Sequence, residues 1–167
     1  MTPTKSLGAV LAAGCCLAVG AGQALHRSGE TAHSAAPEDT PRGHCFENAG
    51  TLVILLNTDE PAGQRFRERV RALGLDPAAA VVVHGVATHR PQGYRFKHAW
   101  VEVGNVVIDV TVSLDFPTYV GPRDDYYALG KIRPEECRRY CAREVFSLGE
   151  QFQHWGPWAP APDNVQL

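Results

Sequence analysis

Three residues carry side chains that together can do nucleophilic chemistry: Cys45, His98 and Asp109. The last two share one stretch, Lys97 to Thr111, which reads KHAWVEVGNVVIDVT. Gly104-Asn105 divides it into two apolar-rich runs, and glycine first is the signal of a two-residue type II′ hairpin. That turn sets Val103 opposite Val106, Val101 opposite Ile108, Trp100 opposite Asp109 and His98 opposite Thr111. Side chains alternate across a strand. One face then carries Ala99, Val101, Val103, Val106, Ile108 and Val110, an apolar layer; the other carries His98, Trp100, Glu102, Val107, Asp109 and Thr111. His98 and Asp109 become diagonal neighbours, about 7–8 Å apart at the backbone. An imidazole beside a carboxylate is a general base with its orienting group. Glu102 shares the face but lies nearer the turn, which makes it a peripheral carboxylate.

Cys45 is the nucleophile that such a pair calls for. From Gly43 onward the chain reads as a helix, with Cys45, Ala49, Leu52, Val53 and Leu56 at helical spacing. A thiol in the first turn meets unpaired N–H groups and the positive end of the helix dipole, which favour the thiolate. Gly43 permits close approach of a substrate, and the Cys45 N–H is a candidate oxyanion donor. Asn48 and Trp100 are further candidates for that role. His44 is either an outer partner of the site or a surface residue. His84 ends a strand and either lines the same cleft or serves the structure; His89 and His154 read as loop residues. Cys137 and Cys141 stand four apart on an apolar stripe and read as buried structural cysteines. A zinc site made from them and a histidine would lack a standard spacing. No cofactor motif is present, so neither cofactor nor metal is expected.

The elements that must position these residues follow in order. Residues 1–26 form an apolar, Ala/Gly-rich leader with one charge, Lys5, which reads as a signal peptide, a lipoprotein signal, an anchor or a dispensable tail. Residues 27–41 are a linker, 42–160 the catalytic domain and 161–167 a C-terminal tail. After the Cys45 helix, Ala62 to Leu73 predicts a second helix with a buried Phe66, Val70 and Leu73 stripe, a solvated arginine face and Gly74 as its cap. Strands are expected at Val81–Ala87, Phe96–Val103 and Val106–Val112, with a short helix at Asp124–Leu129. A last helix is expected from Pro134 to Leu148, since Pro134, Glu135 and Glu136 are helix-start signals. The HWGPWAP segment reads as extended and packed. The fold class is α+β: an antiparallel sheet of three or more strands packed on a central helix that begins with Cys45.

The 167-residue length suits one domain, and 44% hydrophobic with 20% charged residues supports a core. A net charge of −2 and no basic motif argue against nucleic acid. Of five cysteines, Cys15 and Cys16 fall in the leader, leaving an odd three, which suits free thiols better than disulfides.

The order Cys45, then His98-Ala99-Trp100-Val101-Glu102, then Val107-Ile108-Asp109-Val110-Thr111 resembles the transglutaminase-like branch of the papain-like cysteine enzymes. The resemblance runs from Gly43 to about Thr111 and includes Val83-His84-Gly85-Val86. It implies Cys45 as nucleophile, His98 as general base and Asp109 as orienting carboxylate, on a transglutaminase-like fold. The chain departs from the family pattern in having no matching Gln or Trp for the oxyanion. The stretch Arg42 to Asn48 resembles the cysteine motif of arylamine N-acetyltransferases, and HAWVE with the compact size is similar to leader peptidases that mature lasso peptides. These resemblances imply a cysteine-dependent hydrolase, a peptidase or amidase working through an acyl-enzyme. The alternatives are acyl transfer or transglutaminase-type crosslinking on the same triad, and a non-catalytic binding domain. The implied partner is a peptide or other amide-containing substrate, with a protein among the options. Membrane contact is expected only if the leader is an anchor. Export or anchoring follows if it is a signal, and a cytoplasmic location otherwise.

Overall fold

The computed structural model describes residues 44–159. The leader, the linker, the C-terminal tail and the ends of the expected catalytic domain lie outside the described residues. Within them the chain is α+β, with four α-helices and one five-stranded antiparallel sheet in the order β4-β3-β2-β1-β5. Helix α1 is Cys45–Asn57 and α2 is Gln64–Ala72. Strands β1 (Ala80–Thr88), β2 (Arg95–Val103) and β3 (Val106–Asp109) form the meander, and β4 is Tyr119–Pro122. Helix α3 (Arg123–Gly130), edge strand β5 (Arg138–Cys141) and helix α4 (Ala142–Phe152) follow.

The apolar pattern of α1 buries Cys45, Ala49, Leu52, Val53 and Leu56 against the sheet, as its spacing predicts. These pack with Ala99, Val101, Val103, Ile108 and Val110, the apolar face of the hairpin. Helix α2 closes in a Schellman motif: Gly74, at φ +76, donates to the Arg71 carbonyl, and the Leu75 N–H reaches Val70 O. Phe66 and Val70 are buried, whereas Leu73 is exposed, because the helix unwinds before that residue can turn inward. The arginines are not all solvated. Arg67 donates to the carbonyls of Leu55, Thr58 and Glu60, satisfying backbone groups that α1 leaves open where it ends.

The hairpin register is the expected one: Val101 pairs with Ile108, Glu102 with Val107 and Val103 with Val106. Gly104 takes φ +62, the positive value a type II′ turn demands of its first residue. Strand β3 stops at Asp109 rather than at Val112. There the Asp109 carboxylate binds the Thr111 N–H and hydroxyl, and the Asn48 side-chain amide takes the Val110 and Thr111 carbonyls, so the ladder has nothing left to pair with. The opposite face of the sheet is also buried. Trp100 and Val107 pack with Val83, Ala87, Tyr126 and Ile132, so helix α3 roofs the face that carries His98 and Asp109.

The helix expected from Pro134 to Leu148 is broken. Pro134–Glu136 makes only a 3-10 turn, and Arg138–Cys141 pairs with Val81–His84 as an edge strand. The open edge of β1 outweighs local helix signals. Helix α4 then starts at Cys141 through a capping box, in which Glu144 accepts the Cys141 N–H at 2.8 Å. Cys141 is consequently exposed and Cys137 half-buried, and neither lies on a buried helical stripe. All three cysteines among the described residues are free thiols. There, no helix is long and apolar enough to cross a membrane.

Candidate active site

Strand β2 outruns its neighbour. It spans Arg95 to Val103, but β3 pairs only with Val101–Val103, so the half that carries His98 has a sheet partner, β1, on one side alone. The N-terminus of α1 comes in beside this open edge. Asn48, one turn into the helix, holds it to the chain leaving β3 through the Val110 carbonyl at 2.8 Å and the Thr111 carbonyl at 3.3 Å. This notch explains how a thiol from the helix face of the sheet reaches an imidazole whose neighbours Trp100 and Phe96 lie on the other face.

His98 Nε2 lies 3.0 Å from Asp109 Oδ2 and 3.0 Å from the Tyr126 hydroxyl oxygen. The Tyr126 hydroxyl in turn donates to Asp109 Oδ2 at 2.7 Å. One proton arrangement satisfies all three groups: Nε2–H faces the carboxylate and the phenol oxygen, and the phenol proton goes to the carboxylate. The other carboxylate oxygen, Oδ1, accepts from the Thr111 N–H at 2.9 Å and its hydroxyl at 2.5 Å. His98, Asp109, Tyr126 and Cys45 are all buried.

The electrostatics match this geometry. Burial disfavours a charge on His98, but the hydrogen bond and negative charge of Asp109, with the nearby Cys45 thiol, outweigh it and raise its pKa. Burial likewise opposes charge on Asp109. Its bonds to His98, the positive charge there, and the hydrogen bonds from Thr111 and Tyr126 prevail and lower its pKa. Burial and the Asp109 charge push the Tyr126 hydroxyl up, so it remains a donor. With Nε2 committed to Asp109 and Tyr126, the nitrogen left to Cys45 is Nδ1. Nδ1 is buried and has no partner of ordinary hydrogen-bond geometry among the described residues. Such contacts are commonly long before substrate binds.

The other candidate residues separate clearly. Asn48 spends its amide on two backbone carbonyls and serves to position the site. Trp100 is fully buried and gives its indole N–H to Glu102 at 3.2 Å, which leaves it no proton for an oxyanion. His44 precedes α1, is exposed, and meets Glu47 at 3.1 Å. Its carbonyl accepts the first helical bond, from the Asn48 N–H. That leaves the Cys45 N–H outside the helix's own ladder, the state an oxyanion donor requires. His84 lies off the triad in an aromatic nest. Glu102 is the hub of a separate buried network with Tyr127 (2.7 Å), Arg139 (3.1 Å) and Arg123 (3.6 Å). Among the described residues no three His, Cys, Asp or Glu side chains gather where they could hold a metal ion. Cys137 and Cys141 flank opposite ends of β5.

Sequence reasoning does not find Tyr126. It sits on an expected helix, but the spacing between a helix and a hairpin says nothing about which helical residue faces which strand.

Comparison with protein-family models, with curated proteins and with solved structures finds no match to this chain.

Proposed function

We propose that the protein is a thiol hydrolase of the transglutaminase-like type, a peptidase or amidase that acts through a Cys45-His98-Asp109 triad. The observation that supports this reading is the position of His98, buried with Nε2 3.0 Å from the Asp109 carboxylate and close enough to the Cys45 thiol to be influenced by it. A buried imidazole with those two neighbours is a general base with its orienting group and its nucleophile.

The steps follow from the atoms. His98 Nδ1 takes the Cys45 thiol proton, and the thiolate adds to a carbonyl carbon. The resulting oxyanion faces the unpaired N–H at the start of α1. Nδ1–H then protonates the departing amine nitrogen as the C–N bond breaks, which leaves an acyl-thioester on Cys45. Water loses a proton to Nδ1 and attacks that thioester, and the thiolate leaves. Asp109 keeps the Nε2–H tautomer throughout and balances the imidazolium without taking its proton.

The test uses the exposed Cys141 as an internal reference. In the full chain at pH 6, iodoacetamide should alkylate the buried Cys45 faster than the exposed Cys141. A covered thiol that outreacts an open one is chemically activated. Peptidyl acyloxymethyl ketones should label Cys45, and His98→Gln should remove that labelling. Equal reactivity of the two thiols, or labelling indifferent to His98, would overturn the proposal.

A further inference from the structure

Among the described residues, His84 is the one buried histidine that the triad does not use. It is 6% exposed, and neither ring nitrogen has a hydrogen-bond partner among the described residues. Carbon surrounds it. Phe46, Tyr140 and Trp158 place their rings 4.8, 4.9 and 4.9 Å from its own. The backbone of Gly156 lies so close that an added Cβ would meet His84 Cε1 at 2.5 Å. Burial lowers its pKa to about 3, so the ring is neutral and offers one donor and one acceptor. Buried polar groups are nearly always paired, and an unpaired one calls for an explanation.

The explanation lies in what His84 adjoins. Together with Phe46 and Gly85 it lines a cleft of about 200 Å³, walled by Pro157 and rimmed by charges of both signs, Lys97 and Arg138 with Glu135 and Glu136. Phe46 follows Cys45 in the chain, Lys97 precedes His98, and Gly85 is the cross-strand partner of His98. The cleft therefore lies against the start of α1 on the helix face of the sheet, the side from which Cys45 approaches, and its volume suits one side chain.

We propose that this cleft is the subsite for the substrate residue beside the scissile bond. His84 is its specificity-determining residue, selecting an uncharged side chain that both donates and accepts a hydrogen bond over an apolar one of the same size. The inference rests on the thiol-hydrolase reading, because it places the cleft beside that reaction. A neutral imidazole matches a carboxamide donor to acceptor. A purely apolar side chain would leave both nitrogens unpaired, and sites built to bond a polar group discriminate strongly against analogues that lack it. The aromatic walls exclude water and strengthen the bond.

The experiment compares three probes on the full chain: N-acetyl-peptidyl acyloxymethyl ketones with Asn, Leu or Asp next to the reactive carbonyl. The readout is the ratio of second-order labelling rates at Cys45, in which any change in the reactivity of the thiol itself cancels. The Asn probe should outpace the near-isosteric Leu probe by about tenfold or more. His84→Phe, which keeps an aromatic ring in the nest, should bring that ratio close to one. Should His84→Phe not fold, the same question is put to Cys45→Ala by NMR: N-acetyl-asparagine methylamide should shift the His84 ring nitrogen resonances, and N-acetyl-leucine methylamide should not. An Asn-to-Leu ratio near one in the wild type overturns the inference, as does an Asp probe faster than Asn, which would put recognition at Lys97 and Arg138. Unshifted ring resonances do the same. If instead Cys45 reacts no faster than Cys141, it is the thiol-hydrolase reading that fails.

Discussion

Asp109 is held from both sides, and its two oxygens have different tasks. Oδ1 is spent on Thr111, which fixes where the carboxylate sits; Oδ2 meets His98 and Tyr126, which is where its charge acts. In Asp109→Asn the amide oxygen can still serve Thr111, but the amide nitrogen would then donate toward Nε2. His98 would move its own proton to Nδ1 and face the thiol with a donor instead of an acceptor. We expect a folded protein whose rate falls about a thousandfold or more, as in other triads given the wrong tautomer. Tyr126→Phe removes one of the donors to the same oxygen and leaves the pair in place, so a loss of about tenfold is expected, with the pH-rate profile shifted because the imidazolium's partner is less well held. A Tyr126→Phe enzyme with an unchanged profile would reduce the tyrosine to packing. The control is Glu102→Gln. Breaking a buried ion pair costs about 3–5 kcal/mol when both partners are buried. Arg139 is 40% exposed, so a loss of about 2 kcal/mol in urea unfolding is expected, with the rate of the folded fraction kept. A silenced Glu102→Gln would mean that the wrong carboxylate has been assigned. At this scale the sequence is informative where covalent geometry does the work. A two-residue turn leaves one register, so His98 and Asp109 can be placed on one face from spacing alone. Tyr126 depends on how a helix lies across a sheet, and Trp100 and Asn48, plausible oxyanion donors by type, have their protons taken by partners that only the fold reveals.

At the scale of elements, the site depends on two close approaches. One is the Asn48 clamp between α1 and the end of β3. Asn48→Ala frees the Val110 and Thr111 carbonyls and should cost about 1–2 kcal/mol. It should also slow Cys45 labelling, since nothing else described ties the start of α1 to the Asp109 turn; a normal labelling rate would show that packing alone sets the Cys45–His98 approach. The other is Gly85, opposite His98. A Cβ there would lie 2.5 Å from Trp100 Cη2 and 3.1 Å from Cys137 Sγ, and Trp100 is fully buried with no room to yield. Gly85→Ala should therefore destabilise by about 1–3 kcal/mol, read as a lower urea midpoint. The elements themselves were legible where one force dominates. Helix α1 and the hairpin carry uninterrupted apolar patterns, and both form where expected, except that β3 ends three residues early at Asp109. The region from Pro134 to Leu148 carries helix-start signals, yet its first half adds to the sheet. Its fate is decided by an unpaired β1 edge that lies about fifty residues away in the chain, and no local pattern records that edge. That the second face of the hairpin is covered is not legible for a related reason: Tyr126 and Ile132 arrive from a segment whose helix is too short to announce what it covers.

For the whole molecule, two buried histidines pull the pH dependence of stability in opposite directions. His84 has a folded pKa lowered by burial to about 3, against 6.5 in the unfolded chain. Between those values the unfolded chain binds a proton that the native state refuses. Stability must then fall as pH falls below 6.5, by up to about 1.4 kcal/mol per pH unit. For His98 the sign reverses. Its folded pKa is raised, since Asp109 and Cys45 outweigh the effect of burial, so the native state keeps a proton that the unfolded chain loses above 6.5. That contribution is fully present below 6.5 and is lost as pH rises toward the raised folded value. Asp109, with its folded pKa lowered, adds stability above the ordinary carboxylate range that disappears only at strongly acid pH. The two histidine slopes meet where both groups change state in the unfolded chain. Thermal unfolding should therefore give a maximum near pH 6.5 with a falling limb on each side. Each limb has its own owner: His84→Phe should flatten the acid limb between pH 6.5 and about 4, and His98→Gln the alkaline limb above 6.5, whatever either change does to the absolute midpoint. The comparison of slopes matters because both substitutions disturb packing, and packing has no pH dependence of its own. An acid limb that survives His84→Phe would mean that His84 is protonated in the folded protein. It would then be paired with a group outside the described residues, and the neutral ring on which the Asn-over-Leu preference rests would be gone. An alkaline limb that survives His98→Gln would mean that burial, and not the Asp109 carboxylate, decides how tightly the folded protein holds the His98 proton.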